Sequence, residues 1–372
     1  MANYWSEPVD RPCTLPHNGN EREPGRASGG FAMAVNAVSA RALALAIGVV
    51  CLASAAPDSL RAEVRKLIFA VPGVPPIFAS LIAHVAAQES LFKKFGSDVE
   101  VRNVESGTTG ARAVVAGDVD LSLSPSPLIV NQISNADVDL VGIYGLPNPS
   151  FLLASTDPNA TCKDVAGQPV GVDAIGGARA NALAQMIVTC GLKLDDVKQV
   201  ALPSTATQQS MIASVIRFGV LHFDEIPVVE AQGKPIKVVL TLNDVNKDSH
   251  FAMVVVRRAH LQKYRESYVR ALAAVVTAAR FMADPRNAER FGEIAARPGR
   301  TKEEAMAALR RFVAIGYWPT DADGLDRGKL EAVIATQVTT GGIRPGKPPV
   351  SYERLVDPTV WNDAVALIGK SS

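Results

Sequence analysis

The alternation of short β-branched runs with amphipathic helical stretches most constrains how this chain can fold. A strand at residues 66–71 is followed by apolar residues at helical spacing, and a second strand occupies residues 99–104. After Ser155 the cycle restarts, with a strand at residues 169–172. This pattern predicts an α/β fold with largely parallel sheets flanked by helices. Because the cycle occurs twice, we expect two such units.

The second unit is predicted to be inserted into the first. Residues 251–256 form a strand that is expected to pair back into the first sheet, and only helices follow it. Lobe 1 would then comprise residues 64–154 and 251–372, with extra C-terminal helices, and lobe 2 residues 155–250. Two segments cross between such lobes, near Ser155 and at 243–249, so we expect a hinge there.

The N-terminal residues indicate export. From Met33, the expected true start, Arg41 precedes an uncharged run at residues 42–56 that contains the A-x-A site of residues 53–55. This is the layout of a secretory signal. Residues 1–55 are therefore expected to be a leader and signal peptide, cleaved to leave a periplasmic protein. A membrane anchor is the alternative, but a spanning helix needs roughly 20 apolar residues and this run closes earlier.

The net charge and the cysteine content exclude some classes of function and indicate a disulfide. A formal net charge of +1 with no basic run argues against binding to nucleic acid or to a membrane surface. Of the four cysteines, only Cys162 and Cys190 lie beyond the signal peptide. In an oxidising compartment they predict a disulfide, and two small buried residues are the alternative.

The chain has no H-E-x-x-H, C-x-x-C, G-x-S-x-G or G-x-G-x-x-G motif. We therefore expect neither metal nor cofactor, and no enzyme.

Helix starts that follow strand ends mark a candidate ligand site, because ligands bind beyond the carboxyl ends of parallel strands. An anion is predicted at the helix that begins at Ala178, where free N–H groups and Arg179 would meet it. The alternative for each of these turns is that it only caps its helix. The alternative for Arg179 is that its side chain points to solvent, and for His222 that it packs in the core. The predicted ligand-binding residues are Gly73, Val74, Ser106, Thr108, Ser124, Ser126, Tyr144, Gly176, Gly177, Ala178, Arg179, His222 and Phe223.

Three ordered segments carry a resemblance to a known family. The first strand ends in a proline-rich turn, AVVAGDVDL at 113–121 is similar to the family segment A-L-x-x-G-x-x-D, and KDVAGQPVGV at 163–172 to D-L-K-G-K-x-V-G-V. Residues 64–370 thus resemble a periplasmic substrate-binding protein of an ABC importer, in the family with nitrate-, sulfonate-, taurine- and thiamine-pyrimidine-binding members. The chain departs from it at residues 217–219, which replace a second A-G-x-x-D-A segment.

The resemblance implies a type II periplasmic-binding-protein fold, in which two lobes close on a small-molecule ligand. It also implies a monomer that delivers its ligand to an ABC-transporter permease in the inner membrane. The leading hypothesis is capture of a small anionic organic solute, such as a sulfonate or carboxylate. A sensory protein that docks a membrane receptor is one alternative. A pyrimidine-precursor-binding or biosynthetic protein is another, but the biosynthetic activity depends on a cysteine-rich motif that this chain lacks.

Overall fold

A computed structural model describes residues 65–371, except Ala174, Gly176, Gly177 and residues 203–205. The predicted leader and signal peptide, residues 1–55, lie outside the described residues. All the elements below belong to one compact unit, Leu60–Ser372.

The first sheet is mixed and has five strands in the order β2-β1-β3-β10-β4. β1 pairs in parallel with β2 and β3, whereas β10 runs antiparallel to β3 and β4. This confirms that the last strand returns to the first sheet. The strands are β1 Leu67–Pro72, β2 Val99–Val104, β3 Leu121–Pro125, β4 Leu140–Leu146 and β10 Ala252–Arg257.

Helices cover this sheet and form a C-terminal layer. The first two helices after the last strand are separated by Tyr264, which lies between Lys263 and Arg265. The helices of lobe 1 are α1 Leu81–Gln88, α2 Leu91–Lys94, α3 Gly107–Ala116, α4 Ser126–Ala136, α9 Arg258–Lys263, α10 Arg265–Ala283, α11 Ala288–Ala295, α12 Lys302–Ala314, α13 Arg327–Thr339, α14 Tyr352–Leu355 and α15 Thr359–Ser371.

The second sheet repeats the arrangement of the first, in the order β7-β6-β8-β5-β9. β6 pairs in parallel with β7 and β8, and β5 is antiparallel to β8 and β9. Its elements are β5 Phe151–Ser155, β6 Pro169–Val172, α5 Ala178–Val188, β7 Lys198–Ala201, α6 Ala206–Ile212, β8 Phe218–His222, α7 Glu225–Ala231, β9 Lys237–Thr241 and α8 Leu242–Val245.

The lobes are joined at two crossings, one of which differs from the expected position. β5 pairs with β8 and β9, so the chain enters the second sheet at residues 147–150 rather than near Ser155. The second crossing, at residues 246–251, lies between α8 and β10, close to the predicted segment. In each sheet the antiparallel strand is the one that follows a crossing. Each sheet is therefore more mixed than the alternation pattern alone predicts.

A disulfide joins Cys162 to Cys190 within lobe 2, with their Cα atoms 5.9 Å apart. It ties the turn before β6 to the residues that follow α5. This confirms the predicted pairing. Within the part of the chain that the structure describes, no helix has both the length and the apolar character of a membrane span.

Candidate ligand-binding site

A cavity of about 520 Å³ lies between the two lobes. Lobe 1 contributes the turn after β1, from Gly73 to Pro75, and the residues just before α1. Lobe 2 contributes the end of β8 and the starts of α5 and α7. The loop between α11 and α12, residues 297–300, closes a further side. Because both lobes line the cavity, a ligand held there would contact both.

Aromatic rings form the apolar wall of the cavity. Phe78 stacks on Phe312 with ring centroids 4.5 Å apart, and Tyr317 meets Phe312 edge-on at 4.7 Å. Phe251 lies 5.8 Å from Tyr317. Behind this wall, Trp318 packs 5.5 Å from Phe312. Such rings provide a large apolar contact surface of fixed geometry, suited to an organic ligand.

A buried ion pair forms the floor contributed by lobe 2. Arg179 is 4% exposed and its Nη1 lies 3.0 Å from Glu225 Oε2. The same Nη1 donates to the Val220 carbonyl at 2.7 Å, and Glu225 Oε2 accepts the His222 backbone N–H at 2.7 Å. Burial raises the pKa of Glu225, and the nearby Arg179 opposes this rise. Arg179 therefore faces Glu225 at the cavity wall and not solvent.

A serine–histidine pair lies beside this ion pair. Ser150 Oγ and His222 Nδ1 are 2.7 Å apart, and the His222 ring centroid lies 4.4 Å from that of Phe151. Burial, assisted by the positive charge of Arg179, holds the pKa of His222 well below its usual range. The ring is therefore neutral at physiological pH, and it offers the cavity a polar contact without charge.

The cavity also has arginines on the side of lobe 1. Arg297 and Arg300 are joined by two reciprocal backbone hydrogen bonds of 2.9 Å across Pro298 and Gly299. Gly299 has φ +83°, a conformation that glycine adopts without strain. The turn is thereby fixed, and both arginines line the cavity. The Pro-Gly dipeptide predicts a turn in the sequence, but nothing local indicates that this turn faces a ligand.

Four of the predicted site residues line the cavity, namely Gly73, Val74, Arg179 and His222. Ala178 begins α5 and is exposed, but it is not part of the cavity wall. Gly176 and Gly177 lie outside the described residues.

The predicted serines and threonine do not line the cavity, and each of the three serines already has a partner elsewhere. Ser106 caps α3 by accepting the Thr109 N–H, and Thr108 lies in the first turn of the same helix. Ser124 Oγ is buried and donates to the Gly107 carbonyl at 3.0 Å. Ser126 is the first residue of α4, not its cap, and its Oγ lies 2.7 Å from His250 Nδ1.

The two predicted aromatic residues are core residues. Tyr144 is fully buried and its hydroxyl donates to the Pro319 carbonyl at 2.6 Å. Phe223 packs edge-on against Phe312, with centroids 5.8 Å apart, and so lies behind the cavity wall. The aromatic lining comes instead from Phe78, Phe251, Phe312 and Tyr317. Phe251 immediately precedes β10, and Phe312 and Tyr317 follow it in the chain.

Two lobes, each with a five-stranded mixed sheet, and a cavity between them define the type II periplasmic-binding-protein fold. The sequence matches the family described as NMT1/THI5 like over residues 78–288. The chain belongs to this family. A search of curated proteins finds no match.

Solved structures share this fold at low sequence identity. One is a putative periplasmic sulfonate-binding protein of an ABC transporter from Methylobacillus flagellatus, 15% identical over 82% of this chain and 96% of that one, with a TM-score of 0.62. Another is the periplasmic nitrate-binding protein of Synechocystis, 13% identical over 82% and 89%, with a TM-score of 0.63. The aliphatic sulphonate-binding protein of Escherichia coli is 16% identical over 77% and 93%, with a TM-score of 0.58.

Proposed function

We propose that this protein binds a small anionic organic solute, a sulfonate, carboxylate or related compound, between its lobes and delivers it to an ABC importer. The observation that carries the proposal is the cavity of about 520 Å³ with walls from both lobes. Its volume is in the range of pockets for small organic ligands, roughly 300–1,000 Å³. A bare inorganic ion would leave most of this space unfilled.

The chemistry of the wall supports an organic anion. The stacked rings of Phe78 and Phe312 suit an apolar body. The wall carries Arg179, Arg297 and Arg300 together with the carboxylates of Glu105, Asp224 and Glu225. Arg179 is paired with Glu225 at 3.0 Å, so positive charge for an anion is left to Arg297 and to Arg300, whose contact with Asp224 is longer, at 3.4 Å. Among proteins of the same fold, one is described as sulfonate-binding, which agrees with an organic anion, and one as nitrate-binding, which agrees only with a negative charge.

Delivery to a permease requires export and closure. We propose that the chain works in the periplasm as a monomer after cleavage near Ala56, and that the crossings at residues 147–150 and 246–251 are the hinge. Mass spectrometry of the protein recovered from the periplasm tests the cleavage. A chain that still begins at Met1 or Met33 would contradict it.

Ligand binding is tested by a thermal-shift screen with organic sulfonates, carboxylates, nitrate and pyrimidines. A ligand at about 100 times its Kd stabilises the native state by about 2.7 kcal/mol, so the unfolding midpoint rises. Tryptophan fluorescence is a second readout, because the Trp318 ring packs against Phe312 of the cavity wall.

A matched pair of variants locates the binding. Val228 lines the cavity from α7, so Val228→Trp should fill it and abolish binding. Val338 lies on α13 and is 49% exposed, outside the cavity, so Val338→Trp should bind normally. Equal binding by both variants would contradict a ligand site in this cavity. Failure of every organic probe to bind the unaltered protein would contradict the proposed function.

A further inference from the structure

The cavity arginines of the two lobes differ in how fully their guanidinium groups are hydrogen-bonded. The guanidinium of Arg179 contacts Glu225 with two nitrogens, Nη1 at 3.0 Å and Nη2 at 3.2 Å, and also donates to the Val220 carbonyl. The Glu225 carboxylate and the Val220 carbonyl thus accept hydrogen bonds from a large part of the N–H groups of this guanidinium. It already has the partners that a ligand anion would offer.

Arg300, on the other side of the cavity, is only partly satisfied. It is 3% exposed, and its Nε donates to the Ala295 carbonyl at 3.0 Å. Its Nη1 lies 3.4 Å from Asp224 Oδ2, longer than the roughly 2.7–2.9 Å of a close charge-assisted hydrogen bond. Its Nη2 has no hydrogen-bond partner among the described residues. A buried donor without a partner is unfavourable, and more so on a charged group.

The neighbours of Arg300 favour an acceptor at this edge. The guanidinium carbon lies 5.1 Å from the Phe78 ring centroid, which places the charge beside the aromatic wall. Arg297, from the same turn, also has a buried Nε with no partner among the residues described. Burial lowers the pKa of Arg300 and raises that of Asp224, because each charge is poorly solvated. An added anion would stabilise the charged guanidinium.

We propose that the turn from Arg297 to Arg300 recognises the anionic group of the ligand and that Arg300 determines the preference for a charged ligand. This inference rests on the proposed function. A sulfonate or carboxylate has the oxygens to accept from Nη2 while its body lies against Phe78. Because this edge of the guanidinium is buried in the described conformation, the anion enters when the lobes are open. The bound anion then lies next to Asp224, whose negative charge opposes it.

The test compares benzenesulfonate with its neutral isostere benzenesulfonamide, by titration calorimetry. We expect the unaltered protein to bind the sulfonate at least tenfold more tightly than the sulfonamide. Arg300→Gln should reduce this preference to below about threefold, chiefly by weakening sulfonate binding. Asp224→Asn should raise sulfonate affinity, because it removes a competing negative charge. Arg286→Gln is the control, since that side chain is 89% exposed and pairs only with Asp284 among the described residues.

Arg300→Lys is a more conservative variant, which tests the role of Arg300 if Arg300→Gln does not fold. It keeps the positive charge but loses the planar fork of donors, so it should keep part of the preference. Circular dichroism checks the fold of each variant. The inference is overturned if Arg300→Gln keeps the full preference for sulfonate over sulfonamide. It is also overturned if neither Arg300 variant folds and Arg297→Gln keeps that full preference.

The competing location is the start of α5. If Ala178→Asp abolishes sulfonate binding while Arg300→Gln does not, the anion lies at that helix and the inference is overturned, although the proposed function stands. Tighter binding of the sulfonamide than of the sulfonate would also overturn it. If no organic probe binds the unaltered protein, the proposed function fails, and this inference fails with it.

Discussion

Acid should destabilise this protein through His250, which lies in the second crossing between the lobes. His250 is 2% exposed, with Nδ1 2.7 Å from Ser126 Oγ and Nε2 2.8 Å from the Gly324 carbonyl. A carbonyl oxygen only accepts, so Nε2 carries the hydrogen, and in the neutral ring Nδ1 accepts from the Ser126 hydroxyl. Burial disfavours the charged ring and lowers the pKa of His250 to about 4.

The size of the effect follows from the two pKa values. An unfolded histidine takes up a proton near pH 6.5, whereas folded His250 does so only near its pKa of about 4. Between these values the unfolded state binds more protons, so the free energy of unfolding falls as the pH falls. The contribution is fully present above pH 6.5 and amounts to about 3 kcal/mol, lost on reaching pH 4.

Urea unfolding of the unaltered protein and of His250→Gln, followed by circular dichroism from pH 7.5 to 4, measures this. The glutamine keeps a donor for the Gly324 carbonyl but does not titrate, so the stability advantage of the unaltered protein should shrink by about 3 kcal/mol over this range. The raised pKa values of Asp224 and Glu225 are common to both proteins and cancel in the comparison.

His84→Gln serves as the control for the loss of a histidine. His84 is only partly buried on α1, and this variant retains His250, so it should keep most of the pH dependence. The His250 ring can also be titrated directly by NMR. A titration at pH 6.5 or above, or an identical pH dependence in His250→Gln, would refute the reasoning.

Two further predictions concern lobe 2. Arg179→Met should lower the free energy of unfolding by about 3–5 kcal/mol, because it leaves Glu225 buried without its cation. The double variant Arg179→Met/Glu225→Met should recover part of this loss in urea unfolding, and no recovery would argue against the pair as its cause. Replacing both Cys162 and Cys190 with alanine should cost about 3–4 kcal/mol, since the disulfide closes a loop with a sequence separation of 28. A thermal midpoint unchanged in the double variant would contradict that value.

The sequence predicts the elements of this fold better than it predicts their sheets. Residues 251–256 are a buried β-branched run after a polar segment, and their return to the first sheet as β10 was predicted correctly. Phe151–Ser155 is an equally clear strand, but its partners are β8 and β9, which lie far along the chain. A strand's pattern indicates that it is buried. It does not indicate which sheet buries it.

The candidate site was predictable where it is built from strand ends. Gly73, Arg179 and His222 follow or end strands, and all three line the cavity. Ser124 and Ser126 occupy equivalent places but are used internally, because Gly107 and His250 lie within hydrogen-bonding distance of their hydroxyls. Whether a serine after a strand faces a ligand depends on such tertiary partners.

The part of the cavity wall that the C-terminal helices contribute was not predictable from the sequence. Phe312 lies on the apolar face of α12 and Tyr317 lies three residues beyond its end, which indicates burial but not a cavity wall. Arg300 carries no local signal beyond its turn. Its role depends on its approach to Asp224, 76 residues away in the chain.

The contacts that join the two lobes bear on how a ligand would control closure. Asp224 Oδ2 of lobe 2 lies 3.4 Å from Arg300 Nη1 of lobe 1, and Phe223 packs against Phe312. A ligand shifts closure only by the difference between its affinities for the closed and the open state. The aromatic contact needs no ligand and favours closure of the empty protein, whereas the long ion pair leaves one edge of Arg300 without a partner. An anion bound at that edge would contact Arg300 of lobe 1 and meet the negative charge of Asp224 on lobe 2, so it would favour the closed state only through the other contacts that it makes with lobe 2.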